Sequence, residues 1–396
     1  MQFKSITLRN YKALQSVHLA DVPSFMVLVG ANGTGKTSFF DAFGFLRDAL
    51  IGNVRQALDA RGRFPEVVTR GHEQESIVFE IQVTMPIAGK SRLVTYHVEI
   101  AEEKGRPIVL SEFLRYKRGR YGAPFYFLRF SRGEGYAITN EEDFNKSDEE
   151  LEREEQRLES PDILAIKGLG QFQRFKAASA LRQLLENWHV SDFHISAARG
   201  RKEATGITEH LSESGDNLPR VAQYLYENHR PVFQKILRLM EKRVPGLSEV
   251  MPDLTPDGYL LLRFRDGSFK TPFLDRYVSD GTIKMFAYLV LLHDPKPHPL
   301  LCIEEPENQL YPTLMEELAE EFRGYADSGG QVMVSTHSPD FLNAARLNEV
   351  YWLVKSNGVS EIRRAAMDEQ ISRYMNDGDK MGYLWKQGLF GGADPA

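Results

Sequence analysis

Eight consecutive residues near the start of the chain form a phosphate-binding pattern. Residues 30–37 read Gly-Ala-Asn-Gly-Thr-Gly-Lys-Thr and match G-x-x-x-x-G-K-[ST] at every fixed position. Glycines let backbone N–H groups curl around phosphate oxygens, and a following helix N-terminus adds partial positive charge. In that arrangement Lys36 reaches the β- and γ-phosphates, and Thr37 ligates Mg²⁺. The predicted phosphate-binding residues are Gly30, Ala31, Asn32, Gly33, Thr34, Gly35, Lys36, Thr37 and Ser38.

Two adjacent carboxylates follow an apolar segment late in the chain. Residues 300–303 are typical of a buried strand, and Glu304 and Glu305 stand directly after them. In a parallel sheet this end of a strand faces the nucleotide. One carboxylate there can hold Mg²⁺ through water, and the next can polarise an attacking water. The alternative is an ordinary surface pair of glutamates.

Two weaker signals also lie in the last third of the chain. His337 ends the apolar segment 331–336, although a lone histidine is more often structural than catalytic. Ser279 and Gly281 precede the apolar helix predicted at 283–292, where they can bind an anion. Taken alone, Ser279 is better explained as the N-cap of that helix.

The order of these four signals narrows their interpretation. Ser279 follows Lys36 by 279 − 36 = 243 residues, and Glu305 follows it by 305 − 36 = 269 residues. Simple P-loop GTPases and kinases place their second motif much closer to the first. A phosphate loop followed by a distant signature, carboxylates and then a histidine is the order of ABC-class ATPases.

The elements that must position these residues are those of an α/β protein. Residues 25–29 predict a buried strand before the phosphate loop, and a helix is expected from about 36 to 50. Short alternating bursts predict an antiparallel meander at 77–131. Apolar residues recur at helical spacing in 172–188 and 218–243, and the final third alternates helix and strand.

Composition limits the class of protein. The 396 residues are 42% hydrophobic and 26% charged, which is ordinary for a globular chain. No apolar run reaches the roughly 18–20 residues of a membrane span, and the first residues lack the apolar core of a secretory signal. The single Cys302 excludes an intrachain disulfide and a multi-cysteine zinc site. We therefore expect a cytoplasmic protein that does not bind membranes.

The motifs resemble those of RecF/SMC-like ABC ATPases, most closely the compact ATPases related to the OLD (overcoming lysogenization defect) proteins. Residues 6–14 are similar to the family's opening strand and aromatic-lysine turn. Residues 303–312, Ile-Glu-Glu-Pro-Glu-Asn-Gln-Leu-Tyr-Pro, resemble its Walker B motif and D-loop. Residues 335–339 resemble its switch-histidine loop, and 279–282 its signature.

The resemblance implies a role for each of these residues. Glu304 would take the metal-supporting place beside Thr37, Glu305 would be the catalytic base, and His337 would sense the γ-phosphate. Ser279 and Gly281 would contact the γ-phosphate bound by the opposite protomer of a homodimer or higher homo-oligomer, with Asn308 at the seam. Lys36 would act on ATP, and Asn32 would touch its γ-phosphate side.

The chain departs from the family pattern at three points. Many ABC ATPases have Asp where Glu304 stands, and Asp280 replaces the usual first glycine of the signature. Gln56 and Gln74 are available as a Q-loop glutamine, but neither has a convincing context.

The positions of the motifs near both ends of the chain predict that the two ends together form one ABC-type ATPase head. Residues 1–135 would form its N-terminal part with an antiparallel β subdomain, and 246–396 its C-terminal part with the tail. Residues 136–245 would form a mostly helical insertion for dimerisation or partner docking. Its acidic stretch 141–159 is expected to be a solvated helix face or a mobile loop. The tail at 383–390 would dock on the head or bind a partner.

The resemblance also suggests a function. Only 396 − 337 = 59 residues follow His337, so we expect an ATPase without the nuclease domain of OLD proteins. The first hypothesis is an ATP- and Mg²⁺-dependent dimeric switch that acts on a separate effector protein or on DNA, in bacterial anti-phage defence. The alternatives are a scaffold that holds ATP with little turnover and stores an effector, and a RecF-type DNA-repair ATPase. Local basic clusters at Arg115–Arg120 and Arg199–Lys202 keep DNA contact open, although solvated faces explain them better.

Overall fold

A computed structural model describes residues 1–119, 123–141, 146–147, 150–200, 202–203 and 208–393. Its strands are β1 (Gln2–Tyr11), β2 (Leu14–Ala20), β3 (Phe25–Val29), β4 (Ile77–Ile87), β5 (Lys90–Glu103), β6 (Arg106–Tyr116), β7 (Phe125–Ser131), β8 (Glu134–Ile138), β9 (Arg153–Arg157), β10 (His189–Ser191), β11 (Lys202–Glu203), β12 (Leu247–Leu254), β13 (Tyr259–Asp266), β14 (Phe273–Leu274), β15 (Leu301–Glu304), β16 (Val332–Thr336), β17 (Val350–Ser356) and β18 (Val359–Arg364).

Thirteen α-helices lie in the same described ranges. They are α1 (Lys36–Ile51), α2 (Val54–Asp59), α3 (Phe64–Val67), α4 (Ala165–Leu169), α5 (Lys176–Glu186), α6 (Ile195–Ala198), α7 (Leu218–Asn228), α8 (Arg230–Arg243), α9 (Asp280–Leu292), α10 (Met315–Asp327), α11 (Pro339–Asn343), α12 (Glu369–Asn376) and α13 (Met381–Lys386). None of them combines the length and apolar character needed to cross a lipid bilayer.

A mostly parallel sheet carries the predicted motifs. Its strand order is β10-β15-β16-β3-β17-β18, and all neighbours but β17 and β18 run parallel. Side chains of β3 alternate between two cores: Met26 and Leu28 join one, whereas Phe25 and Val27 join the other. Because both faces are buried, the strand reads as an unbroken apolar run.

The remaining layers lie on the two faces of this sheet. On one face, α1, α4 and α5 share a core with an eight-stranded antiparallel sheet of order β2-β1-β4-β5-β6-β7-β8-β9. On the other face, α7–α11 form a second core together with the small antiparallel sheet of β11–β14. The predicted meander is confirmed as β4–β7, and the predicted strand and helix around the phosphate loop are confirmed as β3 and α1.

The segment 136–245 is not separate from these layers. β8 and β9 extend the antiparallel sheet, while β10 pairs in parallel with β15 through the register His189↔Leu301. Helices α4–α8 occupy much of the rest. Helices outweigh strands in this segment, as predicted, but its short strands were not predicted because strand pairing is a long-range contact that local periodicity does not reveal.

The acidic stretch 141–159 differs from its predicted helix face or loop, because its residues 153–157 form the edge strand β9 with alternating exposure. The tail is docked on the head: Trp385 and Phe390 are buried, and the rings of Phe390 and Trp352 meet at 5.2 Å. Within the tail, Nε1 of Trp385 donates to the carbonyl of Ala393 at 3.0 Å.

A buried carboxyl connects the antiparallel sheet to α4. Glu112 of β6 is fully buried and accepts hydrogen bonds from the backbone N–H groups of Ala165 and Ile166 and from the hydroxyl of Tyr96. Burial raises the pKa of Glu112 from 4.5 to about 7, although these three donors oppose the shift.

The raised pKa of Glu112 predicts that its contribution to stability depends on pH. Between pH 4.5 and 7 the folded carboxyl keeps a proton that the unfolded chain has released. The contribution of Glu112 to the free energy of unfolding is therefore greatest at low pH and falls as the pH rises through this window. Relative to Glu112→Gln, the free energy of unfolding of the wild type should fall by about 3 kcal/mol between pH 4.5 and pH 7. Urea unfolding of both proteins at several pH values measures this difference, and a constant difference would contradict the prediction.

Candidate active site

Three parallel strands end together at one edge of the sheet. β16 lies between β15 and β3, with Ser335 level with Glu304 and Thr336 level with Val29. The residues that follow these strands are Gly30, Glu305 and His337, so motifs far apart in the chain meet at this edge. This is the end of an α/β sheet at which ligands bind.

The phosphate loop connects β3 to α1 with two glycines in the left-handed region. Gly33 has φ 76° and Gly35 has φ 97°, and Gly35 is the residue before the helix. At Gly30, an added Cβ would lie 2.7 Å from Oγ1 of Thr34 and 3.1 Å from the carbonyl oxygen of Leu353. No described side chain caps the N-terminus of α1, which leaves that end suited to an anion.

The other predicted loop residues differ in exposure. Asn32 and Thr37 are exposed, Ala31 and Ser38 are half-buried, and Thr34 is buried with its hydroxyl bonded to the carbonyl of Ala31 at 2.8 Å. The side chain of Thr34 thus supports the loop from the inside, and the loop backbone faces outward, where a phosphate can bind.

Lys36 lies across this loop. Its Nζ donates to the carbonyl oxygens of Gly30 at 2.6 Å and Ala31 at 3.1 Å. Burial lowers the pKa of Lys36, opposed by the carboxylates of Glu305 and Glu304. The ammonium group is therefore held within the loop and within the field of both carboxylates.

Thr37 and Glu304 meet directly, although 267 residues separate them. Oγ1 of Thr37 donates to Oε2 of Glu304 at 2.7 Å. Burial raises the pKa of Glu304, and this hydrogen bond partly offsets the shift. The pair supplies a hydroxyl and a carboxylate oxygen, and these are the hard donors that Mg²⁺ prefers.

Glu305 is held from both sides. Its Oε1 accepts from Nδ1 of His337 at 3.1 Å, and its Oε2 accepts from Nδ2 of Asn308 at 2.8 Å. Its backbone has φ 45°, an unusual conformation for a residue other than glycine, and its N–H donates to the carbonyl of Ser335 at 2.9 Å. The carboxylate is aimed by two side chains and a strained backbone, an arrangement associated with functional positions.

Glu307 supports the histidine and was not among the predicted site residues. One of its carboxylate oxygens accepts from Oγ1 of Thr336 at 2.7 Å and from the backbone N–H of His337 at 3.0 Å. Its place two residues after Glu305 was the available signal, but only the fold brings this carboxylate onto the loop after β16.

Helix α9 begins against the same carboxylate loop. Ser279 is its N-cap, and Oγ of Ser279 accepts from the N–H of Thr282 at 3.3 Å. A Cβ at Gly281 would lie 2.6 Å from the carbonyl oxygen of Gln309, so only glycine allows this approach. One turn further, the buried Lys284 donates to the carbonyls of Glu305 at 3.3 Å and Asn308 at 3.0 Å. Burial lowers its pKa to about 8.

Comparison with known families decides the class of this site. Residues 25–343 match the family described as "AAA domain, putative AbiEii toxin, Type IV TA system". This chain belongs to that AAA-domain family. The matched range contains all the motifs that meet at the sheet edge.

Individual relatives of this AAA-domain protein are distant. The Old nuclease of Escherichia phage P2 is 25% identical over 197 residues, covering 41% of this chain and 32% of the nuclease. The chain thus matches about a third of that protein's length.

Two solved SMC heads share the fold. The SmcHead bound to the C-winged helix domain of ScpA has a TM-score of 0.56 at 14% identity, covering 92% of this chain and 98% of that one. The Smc head with an extended coiled coil, bound to the C-terminal domain of ScpA derived from Pyrococcus furiosus, has a TM-score of 0.51 at 14% identity, covering 94% and 99%. The predicted ABC-type head is confirmed as the fold class.

A cavity of about 1130 Å³ opens beside the carboxylates of this AAA-domain protein. Its wall includes Thr37, Glu304 and Glu305 together with the segment 190–196, which begins within β10 and was not predicted to belong to the site. β10 has only three residues and therefore too little periodicity to be recognised. Among the described residues around the cavity, neither Gln56 nor Gln74 appears.

The two basic clusters are largely engaged within the chain. The guanidinium of Arg115 lies 5.3 Å from the ring centre of Phe113 and 5.7 Å from that of Tyr126. Arg199 donates to the carbonyls of Asp275 and Val278, both at 2.8 Å, and to the carboxylate of Asp280. Arg120 and Arg201 lie outside the described residues. Arg199 instead connects the segment after β10 to the start of α9.

Proposed function

We propose that this protein binds ATP with Mg²⁺ and hydrolyses it as a dimeric switch. One observation carries the proposal: the pairs Thr37–Glu304 and Glu305–His337 lie together at the sheet edge beside the loop that holds Lys36. Chance resemblance of separate motifs does not account for hydrogen bonds across 267 and 32 residues of chain.

The residues fit a nucleotide phosphate and a magnesium ion. The loop from Gly30 to Thr37 has close-packed glycines, an uncapped helix N-terminus and a lysine ammonium, which together suit a triphosphate. Thr37 and Glu304 would hold Mg²⁺ directly or through water. When bound there, Mg²⁺ neutralises charge on the phosphate oxygens.

Hydrolysis then needs a base for the attacking water. Glu305 accepts the water proton as the water oxygen attacks the γ-phosphorus and the bond to the β-phosphate oxygen breaks, giving ADP and phosphate. His337 and Asn308 hold the carboxylate of Glu305 in position. Lys36 offsets negative charge on the phosphates, and His337 registers whether the γ-phosphate is present.

The position of α9 supports the proposed dimer. Ser279 is exposed at the positive end of this helix, and Gly281 brings the helix close to the carboxylate loop. We propose that Ser279 and Gly281 contact the γ-phosphate held by the opposite protomer, with Asn308 at the seam. ATP would then join two protomers, and hydrolysis would release them.

The output of such a switch would be mechanical. We propose that residues 136–245 and the adjoining surface dock a separate effector protein or DNA, and that the system serves in phage defence. Relation to the phage P2 Old nuclease and the partner-bound state of the SMC heads support this proposal. Co-purification with the product of a neighbouring gene tests it; full biological activity of the isolated chain would contradict it.

Removal of the metal tests the catalytic part of the proposal. We expect phosphate release from ATP in the presence of Mg²⁺, and a loss of at least about 100-fold with excess EDTA, because the metal supplies several kcal/mol of charge stabilisation. Thr37→Ala should lower turnover in the same direction, since it removes the hydroxyl beside Glu304. Turnover that is indifferent to both changes would contradict the proposed site.

A further inference from the structure

A second cluster of ligating side chains lies at the opposite end of β15 from Glu304. His210, Asp294 and His298 each offer a ligand atom, and these atoms lie within 4.8 Å of one another. Nδ1 of His210 is 2.7 Å from Oδ2 of Asp294. Asp294 and His298 precede β15, whereas His210 comes from the segment 208–217, so distant parts of the chain converge here.

His298 is already oriented as a ligand. Its Nδ1 is 3.0 Å from the carbonyl oxygen of Asn187. A carbonyl can only accept a hydrogen bond, so Nδ1 carries the proton and Nε2 of the neutral ring carries the lone pair. Histidines that bind metals commonly donate their other ring N–H to a backbone carbonyl in this way.

The lone pair on Nε2 of His298 accepts no hydrogen bond from the described residues. His298 is 8% exposed, and its Nε2 is buried with no hydrogen-bond partner among the described residues. A buried acceptor left unpaired costs about 1–3 kcal/mol. The rings of His189 and His210 lie 5.0 and 5.2 Å from the ring of His298, so the surroundings are rich in imidazole.

We propose that His210, Asp294 and His298 bind a divalent transition-metal ion of the zinc class. Two imidazole nitrogens and one carboxylate oxygen form a donor set typical of Zn²⁺ with three protein ligands. A cavity of about 630 Å³ touches His210 and His298 and provides room for water as the fourth ligand. The proton between His210 and Asp294 would leave when the metal binds.

The ion would fasten the segment 208–217 to the head. This segment continues from His210 to Glu213, which forms an ion pair with Arg47 and accepts from the N–H of Asp192 at 3.1 Å. Asp192 belongs to the wall of the cavity beside Glu304. The proposed metal is therefore structural, distinct from the Mg²⁺ site, and it stabilises the strand end that supports the nucleotide cavity.

Metal analysis of the full, untagged chain tests this site. After dialysis against a chelator, the protein is titrated with Zn²⁺, with Co²⁺ as a spectroscopic probe and with Mg²⁺ for comparison. We expect one Zn²⁺ per chain, a rise in Tm, and visible Co²⁺ absorption typical of four ligands. His210→Gln and Asp294→Asn should each weaken Zn²⁺ binding by at least about tenfold.

The control is His18→Gln, which changes an exposed histidine on β2 and should leave Zn²⁺ binding unchanged. Circular dichroism and Tm of the metal-free variants establish that both ligand variants are folded. The proposal is overturned if the wild type binds no Zn²⁺, if Mg²⁺ abolishes the visible Co²⁺ absorption at the same concentration as Zn²⁺, or if folded His210→Gln and Asp294→Asn both retain wild-type affinity for Zn²⁺.

Discussion

Glu305→Gln should abolish turnover and trap the ATP-bound dimer. The amide keeps the shape of the side chain but cannot accept a proton from water, so we expect ATP hydrolysis to fall by at least about 100-fold. Binding of ATP should persist, because Lys36 and the phosphate loop are unchanged. The mass in the presence of Mg·ATP, measured by light scattering after gel filtration, should therefore shift from monomer to dimer.

The matched control is Glu316→Gln, an exposed glutamate in the first turn of α10. This variant also removes one negative charge, but at a position away from the sheet edge, and should leave ATP turnover unchanged. A Glu305→Gln protein that hydrolyses ATP at the wild-type rate would exclude Glu305 as the base. The scaffold alternative also predicts little difference between Glu305→Gln and the wild type, since a scaffold hydrolyses little ATP in either form.

Lys36→Ala should weaken ATP binding itself. The ammonium group lies within the phosphate loop, and a charge-assisted contact to phosphate contributes about 1.5–3 kcal/mol. The Kd for ATP should therefore rise by roughly 10- to 100-fold, with turnover falling at least as far. Isothermal titration calorimetry with Mg·ATP measures the change.

Lys355→Ala controls for the loss of a positive charge, because Lys355 is exposed on β17. Lys36 also donates to two loop carbonyls, so thermal unfolding of Lys36→Ala separates a misfolded loop from a lost ligand contact. Wild-type affinity in a folded Lys36→Ala protein would contradict the proposed phosphate site.

The sequence predicted the parts of the site that depend on local signals. The phosphate loop is contiguous, its glycines have a steric reason, and the strand before it is an unbroken apolar run. Glu304, Glu305 and His337 stand at strand ends, and parallel pairing of β15, β16 and β3 brings such ends together. Their order in the chain then indicated the ABC class.

What the sequence did not predict depends on contacts between distant segments. β10 is three residues long and becomes a strand only through pairing with β15. Glu307 acts through its hydrogen bond from the backbone N–H of His337 in the loop after β16. Lys284 acts through its hydrogen bond to the carbonyl of Asn308, which lies beside its helix. The acidic residues of β9 form an edge strand because β8 offers a partner, against the expectation from their charge.

Mixing two impaired variants shows whether one catalytic site is shared by two protomers. Lys36→Ala weakens the phosphate site, while Ser279→Trp places a bulky side chain on the exposed start of α9. Each variant alone should have little ATPase activity. In an equimolar mixture, half of the dimers contain both variants and each of these retains one intact site.

The mixture should recover about a quarter of the wild-type ATPase activity per chain, since random pairing of a symmetric dimer leaves that share of sites intact. A mixture that stays as inactive as its two components would contradict a site built across the dimer.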